Sequence, residues 1–302
     1  MKVAITGASG FLGSALTRSL EQDGHQVVRL VRREPRGPAE TRWDPYGGNS
    51  QPGLAAALDG TDAVVHLAGA GIGDKRWTED YKREIHDSRS LGTRALAETL
   101  AGLDTPPKVL VSGSAIGFYG DTGERTVTEE VPAGAGFLAG LVRDWEAAAQ
   151  PAADAGIRVA HPRTGLVLSP DGGLLGKLLP MFRLGLGAKL GSGRQWMSWI
   201  TLDDHIAALR FLIESAEMSG PVNLTAPEPV RNTDFTKALG TAVHRPAVLP
   251  APAFALRLAL GGFADESALV SQRVLPARLT EAGFGFGHRE LGGALADLVQ
   301  TG

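Results

Sequence analysis

A glycine-rich turn near the start of the chain sets the strongest limit on its fold. Residues 4–16 read AITGASGFLGSAL, and Gly7, Gly10 and Gly13 give the spacing G-x-x-G-x-x-G. A short apolar run precedes the glycines, and apolar residues at helical spacing follow them. A strand, a glycine turn and a helix in this order predict a loop that holds a dinucleotide pyrophosphate at the helix N-terminus. A tight turn without a ligand is the alternative.

The rest of the N-terminal half alternates short apolar runs with helical patterns. Strands are predicted at 25–31, 41–43, 62–69, 107–115, 156–168 and 221–227. Helices are predicted after the glycine loop and at 78–103, 137–150 and 202–216. This alternation predicts an α/β fold of the Rossmann type, with a doubly wound parallel sheet.

The pattern changes after residue 168, where glycine-rich turns and proline-broken helices replace the regular alternation. Residues 1–168 and 201–227 are therefore predicted to form the dinucleotide-binding domain. Residues 169–200 and 228–302 are predicted to form a smaller, discontinuous C-terminal domain that holds the substrate.

Composition narrows the classes of function. The chain has 302 residues, no cysteine, and seven histidines without metal-ligand spacing, which excludes disulfides and thiolate zinc sites and gives no sign of a metal centre. A net charge of −3 without a long basic run indicates no nucleic-acid partner. No signal peptide and no apolar stretch of membrane-spanning length is recognisable, so the expected location is the cytoplasm, without a membrane partner.

Two arginines indicate which dinucleotide the loop holds. An NAD site usually places an acidic residue at the end of the second strand, where it accepts a hydrogen bond from the ribose 2′-hydroxyl. Here Arg32 and Arg33 stand in that place. Because a guanidinium binds a 2′-phosphate, NADP(H) is the predicted cofactor and Arg32 the primary contact. Two exposed arginines without a ligand are the alternative.

Several motifs resemble those of the extended short-chain dehydrogenase/reductase family. They are TGASGFLG, HLAG, GTRAL and VSGSAIGFYG. The segments DKRWT, GSGRQWMSWI, NLTAPEPVRN and QRVLPARL resemble its epimerase-like subfamily, which carries a characteristic C-terminal extension. The resemblance covers essentially the whole chain and implies a Rossmann fold with NADP(H) as cofactor, but it assigns no substrate. It also implies that a homodimer could form through the helices at about 78–103 and 137–154.

The cofactor contacts follow from the glycine loop and the resemblance together. The predicted set is Gly7, Ser9, Gly10, Phe11, Leu12, Gly13, Val31, Arg32, Arg33, Leu67, Ala68, Glu84, Arg89 and Arg163. Arg89 has independent support, because it lies on the same helical face as Ile85, Leu96 and Leu100. A cation on an apolar stripe needs a partner, and a bound pyrophosphate would serve. An ion pair of Arg89 with Asp87 or Glu84 is the alternative.

The catalytic pair of the wider family is missing. The family uses a Tyr-x-x-x-Lys pair for proton transfer together with a serine, but Phe137 and Leu141 occupy the places of the tyrosine and the lysine. Ser114 remains at the serine position. Tyr119 is the predicted replacement proton donor, with Lys75 or Arg76 as the replacement cation, and packing or surface roles for these residues are the alternatives.

The second domain is expected to close over the nicotinamide end. Its segment RQWMSW, residues 194–199, offers aromatic walls and one cation for a small ligand, although its tryptophans could equally be core. The first hypothesis is an NADP(H)-dependent oxidoreductase or epimerase-like enzyme that acts on a small carbonyl or alcohol. The alternative is a non-catalytic NADP(H)-binding sensor or interaction protein that has lost the proton relay.

Overall fold

The computed structural model describes residues 1–47 and 51–300, so Thr301 and Gly302, the end of the predicted second domain, lie outside the described residues. The strands are β1 (Lys2–Thr6), β2 (Gln26–Val31), β3 (Glu40–Arg42), β4 (Ala63–His66), β5 (Val109–Ser112), β6 (Ser114–Ala115), β7 (Thr126–Val127), β8 (Arg158–Thr164), β9 (Leu166–Ser169), β10 (Ala188–Leu190), β11 (Trp196–Met197), β12 (Trp199–Thr201), β13 (Gly220–Leu224), β14 (Val230–Arg231), β15 (Leu249–Ala251) and β16 (Arg273–Val274).

The α-helices are α1 (Phe11–Gln22), α2 (Pro52–Leu58), α3 (Glu79–Ala101), α4 (Phe137–Ala147), α5 (Gln150–Asp154), α6 (Gly173–Arg183), α7 (Leu202–Glu214), α8 (Asn232–Ala242), α9 (Ala253–Leu260), α10 (Ala277–Glu281) and α11 (Leu291–Gln300). A 3₁₀ turn spans Ile116–Tyr119 and a short π-helix spans Ala264–Ala268. Within the described residues, no helix is long and apolar enough to cross a membrane.

The central sheet confirms the predicted Rossmann-type architecture. Its strand order is β13-β8-β5-β4-β1-β2-β3, β6 also pairs with β8, and every pairing in it is parallel. The strand predicted at 221–227 joins its edge as β13. The chain reverses its direction of winding between β1 and β4. In such sheets this switch point, at the carboxyl ends of the strands, is where ligands bind.

The sheet is covered on both faces, as its alternating side chains require. Val3 and Ile5 of β1 pack with Leu16 and Leu20 of α1 in one buried cluster. Ala4, between them in sequence, belongs to a second cluster with residues of α3 and β5. The apolar stripes of the two helix layers therefore hold the carboxyl ends of β1, β4 and β5 side by side.

Two predicted elements are interrupted. The predicted strand 107–115 breaks at Gly113, where a Cβ atom would lie 2.8 Å from the Trp145 ring, so the sheet admits only glycine there. The helix predicted over 137–150 is wrong at its C-terminal end, because α4 ends at Ala147 and a separate helix, α5, begins at Gln150. Pro151 explains this break, since proline has no N–H for a continuing helix and its ring clashes with the preceding turn.

The C-terminal segments build a third buried cluster outside the sheet. Leu175 and Leu179 of α6, Trp199 of β12 and Phe235 of α8 meet residues of α11 there. The Trp199 side chain is completely buried and its Nε1 donates to the carbonyl oxygen of Glu228, so this tryptophan is core rather than a ligand wall.

Candidate functional site

The glycine loop has the geometry that a pyrophosphate site requires. Gly7 has φ +68°, and a Cβ atom on it would lie 2.9 Å from the backbone nitrogen of Ala68. A Cβ atom on Gly13 would lie 2.1 Å from the Gly7 carbonyl oxygen, so α1 can approach the loop only with glycine at that position. Gly10 caps α1 without a side-chain acceptor, and the first turn of the helix has no acidic residue. The first N–H groups of α1 are therefore available for an anion.

The two arginines after β2 have different partners. Arg33 is bound to Glu40 through two hydrogen bonds of 2.7 and 2.6 Å. These bonds, with a further one from the Arg36 backbone, lower the pKa of the Glu40 carboxyl to about 2. Arg32 is exposed and has no ion pair within the described residues. Arg32 is therefore the guanidinium that can bind a 2′-phosphate, whereas Arg33 is already neutralised.

The end of β4 forms the opposite wall of the loop. The backbone N–H groups of Leu67 and Ala68 lie 3.1 and 3.2 Å from Thr6 Oγ1. The same hydroxyl lies 2.7 Å from Nδ1 of the buried His66, whose pKa burial lowers to about 4. Leu67 and Ala68 are thus fixed beside Gly7, where the sequence predicted a cofactor contact.

The guanidinium of Arg89 lies against this wall. Its guanidinium lies 5.1 Å from the centre of the Trp145 ring, and a Cβ atom on Gly69 would lie 3.2 Å from its Cζ. Burial lowers its pKa to about 10. Within the described residues no carboxylate pairs with it, so the alternative prediction of an ion pair with Asp87 or Glu84 is wrong. An anion bound at the carboxyl edge would supply the missing charge.

Glu84 has the opposite environment. Its carboxylate is about half exposed and lies 3.5 Å from Lys75 Nζ, while Asp87 is 3.1 Å from His86. Contact of Glu84 with the cofactor stays a prediction.

Lys75 also lies 5.0 Å from the centre of the Tyr81 ring, and Nη1 of Arg76 donates to the carbonyl oxygen of Leu258. These are the surface and interdomain roles that were the alternative to a catalytic cation.

Ser114 is the start of a buried hydrogen-bond network. Its hydroxyl donates to Glu146 Oε1 at 2.6 Å. Arg163 binds the same carboxylate through Nε and Nη2, each at 2.8 Å. The Arg163 side chain is only 4% exposed and stacks 3.5 Å from the centre of the Phe118 ring. Direct contact of Arg163 with the cofactor, as predicted from sequence, is not favoured by this geometry, because its donors are engaged inside the protein.

Tyr119 continues the same network. Its hydroxyl donates to Asn223 Oδ1 at 2.7 Å and accepts from Arg163 at 2.9 Å. The residue is 2% exposed, and its burial raises the pKa of the phenol despite the neighbouring guanidinium. The role of Tyr119 as proton donor stays a prediction. The geometry favours the alternative, because the proton of the hydroxyl is already donated to Asn223 and its oxygen also binds Arg163.

Apolar side chains fill the place of the missing catalytic pair. Leu141 is buried in a cluster with Tyr81, Ile85 and Leu138, against which Phe137 packs. The Phe137 ring also meets the Trp77 ring edge-on at 5.1 Å. Neither Phe137 nor Leu141 carries a group that can transfer a proton, so the relay of the wider family is missing from this face of α4.

The helix that carries these substitutions is held by a carboxylate from the C-terminal segment. Glu266 accepts hydrogen bonds from the backbone nitrogens of Phe137 and Leu138, each at 2.8 Å. A carboxylate at a helix N-terminus satisfies N–H groups that lack partners and complements the helix dipole. The small π-helix that contains Glu266 thus closes one side of the candidate site.

The remaining aromatic candidate, Trp196, lies at a separate cavity. The guanidinium groups of Arg231 and Arg273 each lie 4.3 Å from the centre of its ring. The cavity is about 300 Å³ in volume and is lined by Thr126, Trp196, Pro227, Glu228, Pro229, Arg273 and Leu275. Two guanidinium groups already pack against the Trp196 ring, which does not favour it as a free wall for a flat ligand.

Comparison with known proteins decides the family. Residues 3–224 match the NAD dependent epimerase/dehydratase family, and residues 251–298 match DUF1731, a domain of unknown function. The chain belongs to the NAD dependent epimerase/dehydratase family. This confirms the resemblance to epimerase-like extended short-chain dehydrogenases/reductases.

Individual relatives of the family cover nearly all of the chain. An epimerase family protein of Mycobacterium tuberculosis is 49% identical over 293 residues, which are 97% of this chain and 96% of the relative. The epimerase family protein SDR39U1 of Homo sapiens is 35% identical and covers 99% of this chain and all of its own length. A crystal structure of the human protein with NADPH superposes with a TM-score of 0.91, at 34% identity and 99% coverage of both chains.

Sequence reasoning missed two acidic residues of the site. Glu146 lies four residues after the buried Val142 and eight after the buried Leu138, so it interrupts an apolar stripe, as Arg89 does on α3. That signal was present in the sequence. Glu266 gave no such signal, because its partner Phe137 lies 129 residues away along the chain.

Proposed function

We propose that this chain is an NADPH-dependent oxidoreductase that acts on a small carbonyl or alcohol. The observation that carries the proposal is the glycine loop. Gly7, Gly10 and Gly13 bring the N-terminus of α1 close to β4 and leave its first N–H groups without a side-chain acceptor. The family to which the chain belongs and the NADPH in the crystal structure of the human relative support it.

Three features of the described residues would hold the charged groups of NADPH. The N–H groups at the start of α1 would hold the pyrophosphate, and Arg32 the 2′-phosphate. Arg89, a partly buried cation with which no carboxylate of the described residues pairs, would complete the charge balance. Bound NADPH supplies a hydride for a carbonyl carbon, and the protein must position the substrate and move one proton.

Ser114 and Glu146 are the groups that we assign to proton transfer. When an alcohol is oxidised, Ser114 Oγ accepts the hydroxyl proton and passes its own proton to Glu146, the carboxylate to which it donates at 2.6 Å. Carbonyl reduction runs the same two transfers in reverse. The bidentate hold of Arg163 fixes the direction in which Glu146 faces Ser114.

Calorimetric titration with NADPH tests the binding site. Gly10→Val places a branched side chain where the pyrophosphate would meet the backbone, so NADPH binding should be lost while the circular dichroism spectrum is kept. Gly53→Ala, on α2 with no atom within 4 Å of the new Cβ, is the matched control and should bind normally. Unchanged affinity of the Gly10 variant would mean that the loop is only a turn.

A panel of small carbonyl compounds, followed by NADPH absorbance, tests catalysis. Once a substrate is found, Ser114→Ala should lower kcat by about 10²-fold or more, the usual scale of acid–base catalysis, without changing NADPH affinity. Glu146→Gln should lower kcat similarly, and its thermal unfolding must be measured because it also disturbs a buried ion pair. Full activity of Ser114→Ala would refute the assignment.

One observation favours a second function, in which the chain binds NADPH but catalyses no reaction. Phe137 and Leu141 do not merely lack titratable groups but are packed in an apolar cluster. If the wild-type chain binds NADPH and oxidises none of the panel, this second function is the better one. Tight NADPH binding with turnover of any member supports the enzyme.

A further inference from the structure

Most of the exposed large apolar side chains of the described residues lie on one part of the surface. Seven of the ten come from two segments, and they are Met181, Leu184, Leu186, Val248, Leu249, Phe254 and Leu258. Helix α9 is the extreme case, since none of its eight residues is buried although six are alanine or leucine. A soluble chain rarely exposes such a patch without a partner for it.

The backbone brings the two segments together. β10 pairs with β15, which places Ala188 opposite Leu249, and α9 begins two residues after β15 ends. Arg245 Nε donates to the carbonyl oxygen of Arg183 at the end of α6. On α9, Phe254 and Leu258 are 72% and 73% exposed and, four residues apart, lie on one face.

The two segments that carry these apolar side chains have an excess of cations. Residues 173–194 and 235–264 contain no Asp or Glu, although the whole chain has slightly more acidic than basic residues. Their cations are Lys177, Arg183, Lys189, Arg194, Lys237, Arg245 and Arg257. Of these, only Arg257 has an ion pair within the described residues, with Asp265. We call the seven apolar residues and these seven cations the basic apolar face.

Although the sequence predicted no membrane partner, we propose that the basic apolar face binds an anionic membrane surface. Protruding leucine, valine and phenylalanine side chains surrounded by lysine and arginine are the features by which a protein lies on a bilayer: the apolar groups enter the headgroup boundary and the cations meet anionic lipids. A second copy of this chain is disfavoured, because an interface between two such faces would bring like charges together.

The proposed contact leaves the glycine loop accessible. The N-terminus of α6 touches that loop, since a Cβ atom on Gly172 would lie 2.7 Å from the Phe11 ring. The exposed residues Met181 and Leu184 lie at the other end of this helix, roughly 15 Å away by the rise of 1.5 Å per residue. NADPH affinity can therefore report on folding independently of membrane binding.

Co-sedimentation with vesicles tests the proposal. The full chain should sediment with vesicles of equimolar phosphatidylglycerol and phosphatidylcholine, should remain in solution with phosphatidylcholine alone, and should dissociate at high salt. The double variants Phe254→Ser/Leu258→Ser and Arg183→Glu/Arg245→Glu should each lower the vesicle affinity by about tenfold or more. Leu91→Ser, at an exposed leucine of α3, is the matched control and should bind like the wild type.

Three results would overturn the proposal. One is equal sedimentation with neutral and anionic vesicles. Another is full binding by both double variants that still bind NADPH normally. The third is a stable dimer in solution that Phe254→Ser/Leu258→Ser dissociates while no vesicle binding is seen, which would assign the face to a second copy of the chain.

Discussion

Adjacent arginines that look alike in the sequence have different electrostatic environments in the fold. Arg33 is engaged by Glu40, whereas Arg32 is exposed and unpaired within the described residues. We expect Arg32→Ala to remove most of a preference for NADPH over NADH of about tenfold or more, which corresponds to about 1.4 kcal/mol per factor of ten. Calorimetric titration with both dinucleotides measures it.

Arg33→Ala is the control for this prediction. It removes one positive charge from the same turn, but that charge is balanced by Glu40, so the cofactor preference should change little. Equal effects of the two substitutions, or no preference in the wild type, would contradict the assignment of Arg32.

We expect removal of the Tyr119 hydroxyl to lower the stability of the fold rather than the rate of catalysis. Tyr119→Phe leaves the buried Asn223 Oδ1 without its donor and leaves Arg163 Nη1 with only the Glu129 carbonyl oxygen, at 3.4 Å. An unsatisfied buried group costs about 1–3 kcal/mol, so urea unfolding should show a loss of that size. We expect kcat per folded molecule to stay close to that of the wild type. If kcat instead falls by about 10²-fold with stability unchanged, Tyr119 is the proton donor.

Single residues of the site were predictable where a charge stood on an apolar stripe. Arg89 was found in this way, and the structure keeps it partly buried beside Gly69, with no carboxylate of the described residues paired to it. The same reasoning applied to α4 would have found Glu146. The neutralisation of Arg33 by Glu40 could not be foreseen, because it depends on the parallel pairing of β3 with β2.

At the scale of elements, α4 depends on a cap that is not part of its own sequence neighbourhood. Glu266→Ala removes both acceptors from the first turn of α4, so the free energy of unfolding should fall by about 1–2 kcal/mol. Urea unfolding followed by tryptophan fluorescence measures this change. Glu217→Ala, at an exposed carboxylate in the loop after α7, should have almost no effect. A similar loss in both variants would mean that the cap contributes nothing specific.

The order and type of the elements followed closely from apolar periodicity, whereas their ends did not. β1, β2 and α1 lie where the pattern places them, because each buries a regular face. The break between α4 and α5 depends on Pro151, and the break after β5 on the Trp145 ring above Gly113. The first was readable from the proline rule, but the second needed the tertiary contact.

For the whole molecule, two buried histidines set a response to acid. Burial lowers the pKa of His66 to about 4 and that of His205 to about 3, against 6.5 for an exposed histidine. The unfolded chain therefore binds more protons than the folded chain below pH 6.5, and the stability that is complete above this value decreases as the pH falls towards 4. Urea midpoints across this range measure the decrease.

Two substitutions separate this effect from general acid denaturation. His66→Gln removes one buried imidazole and should make the stability of the variant less dependent on pH between 6.5 and 4. His244→Asn changes an exposed histidine with φ 54°, a conformation that asparagine tolerates, and should leave the pH dependence as it is in the wild type. Identical pH profiles for all three proteins would show that His66 does not titrate with unfolding.

The hydrogen bonds from Phe137 and Leu138 to Glu266 also limit the order in which parts of the structure can form during synthesis. The ribosome releases α4 long before the acceptor of these bonds, because 129 residues separate Phe137 from Glu266. Strand β7 likewise cannot pair until β16, its partner near the end of the chain, has been synthesised. The emerging dinucleotide domain can pair β1, β2 and β4 at once, but one wall of its cleft stays unfinished until the C-terminal segment is made. A chain whose translation stops early would carry the glycine loop without a closed site beside it.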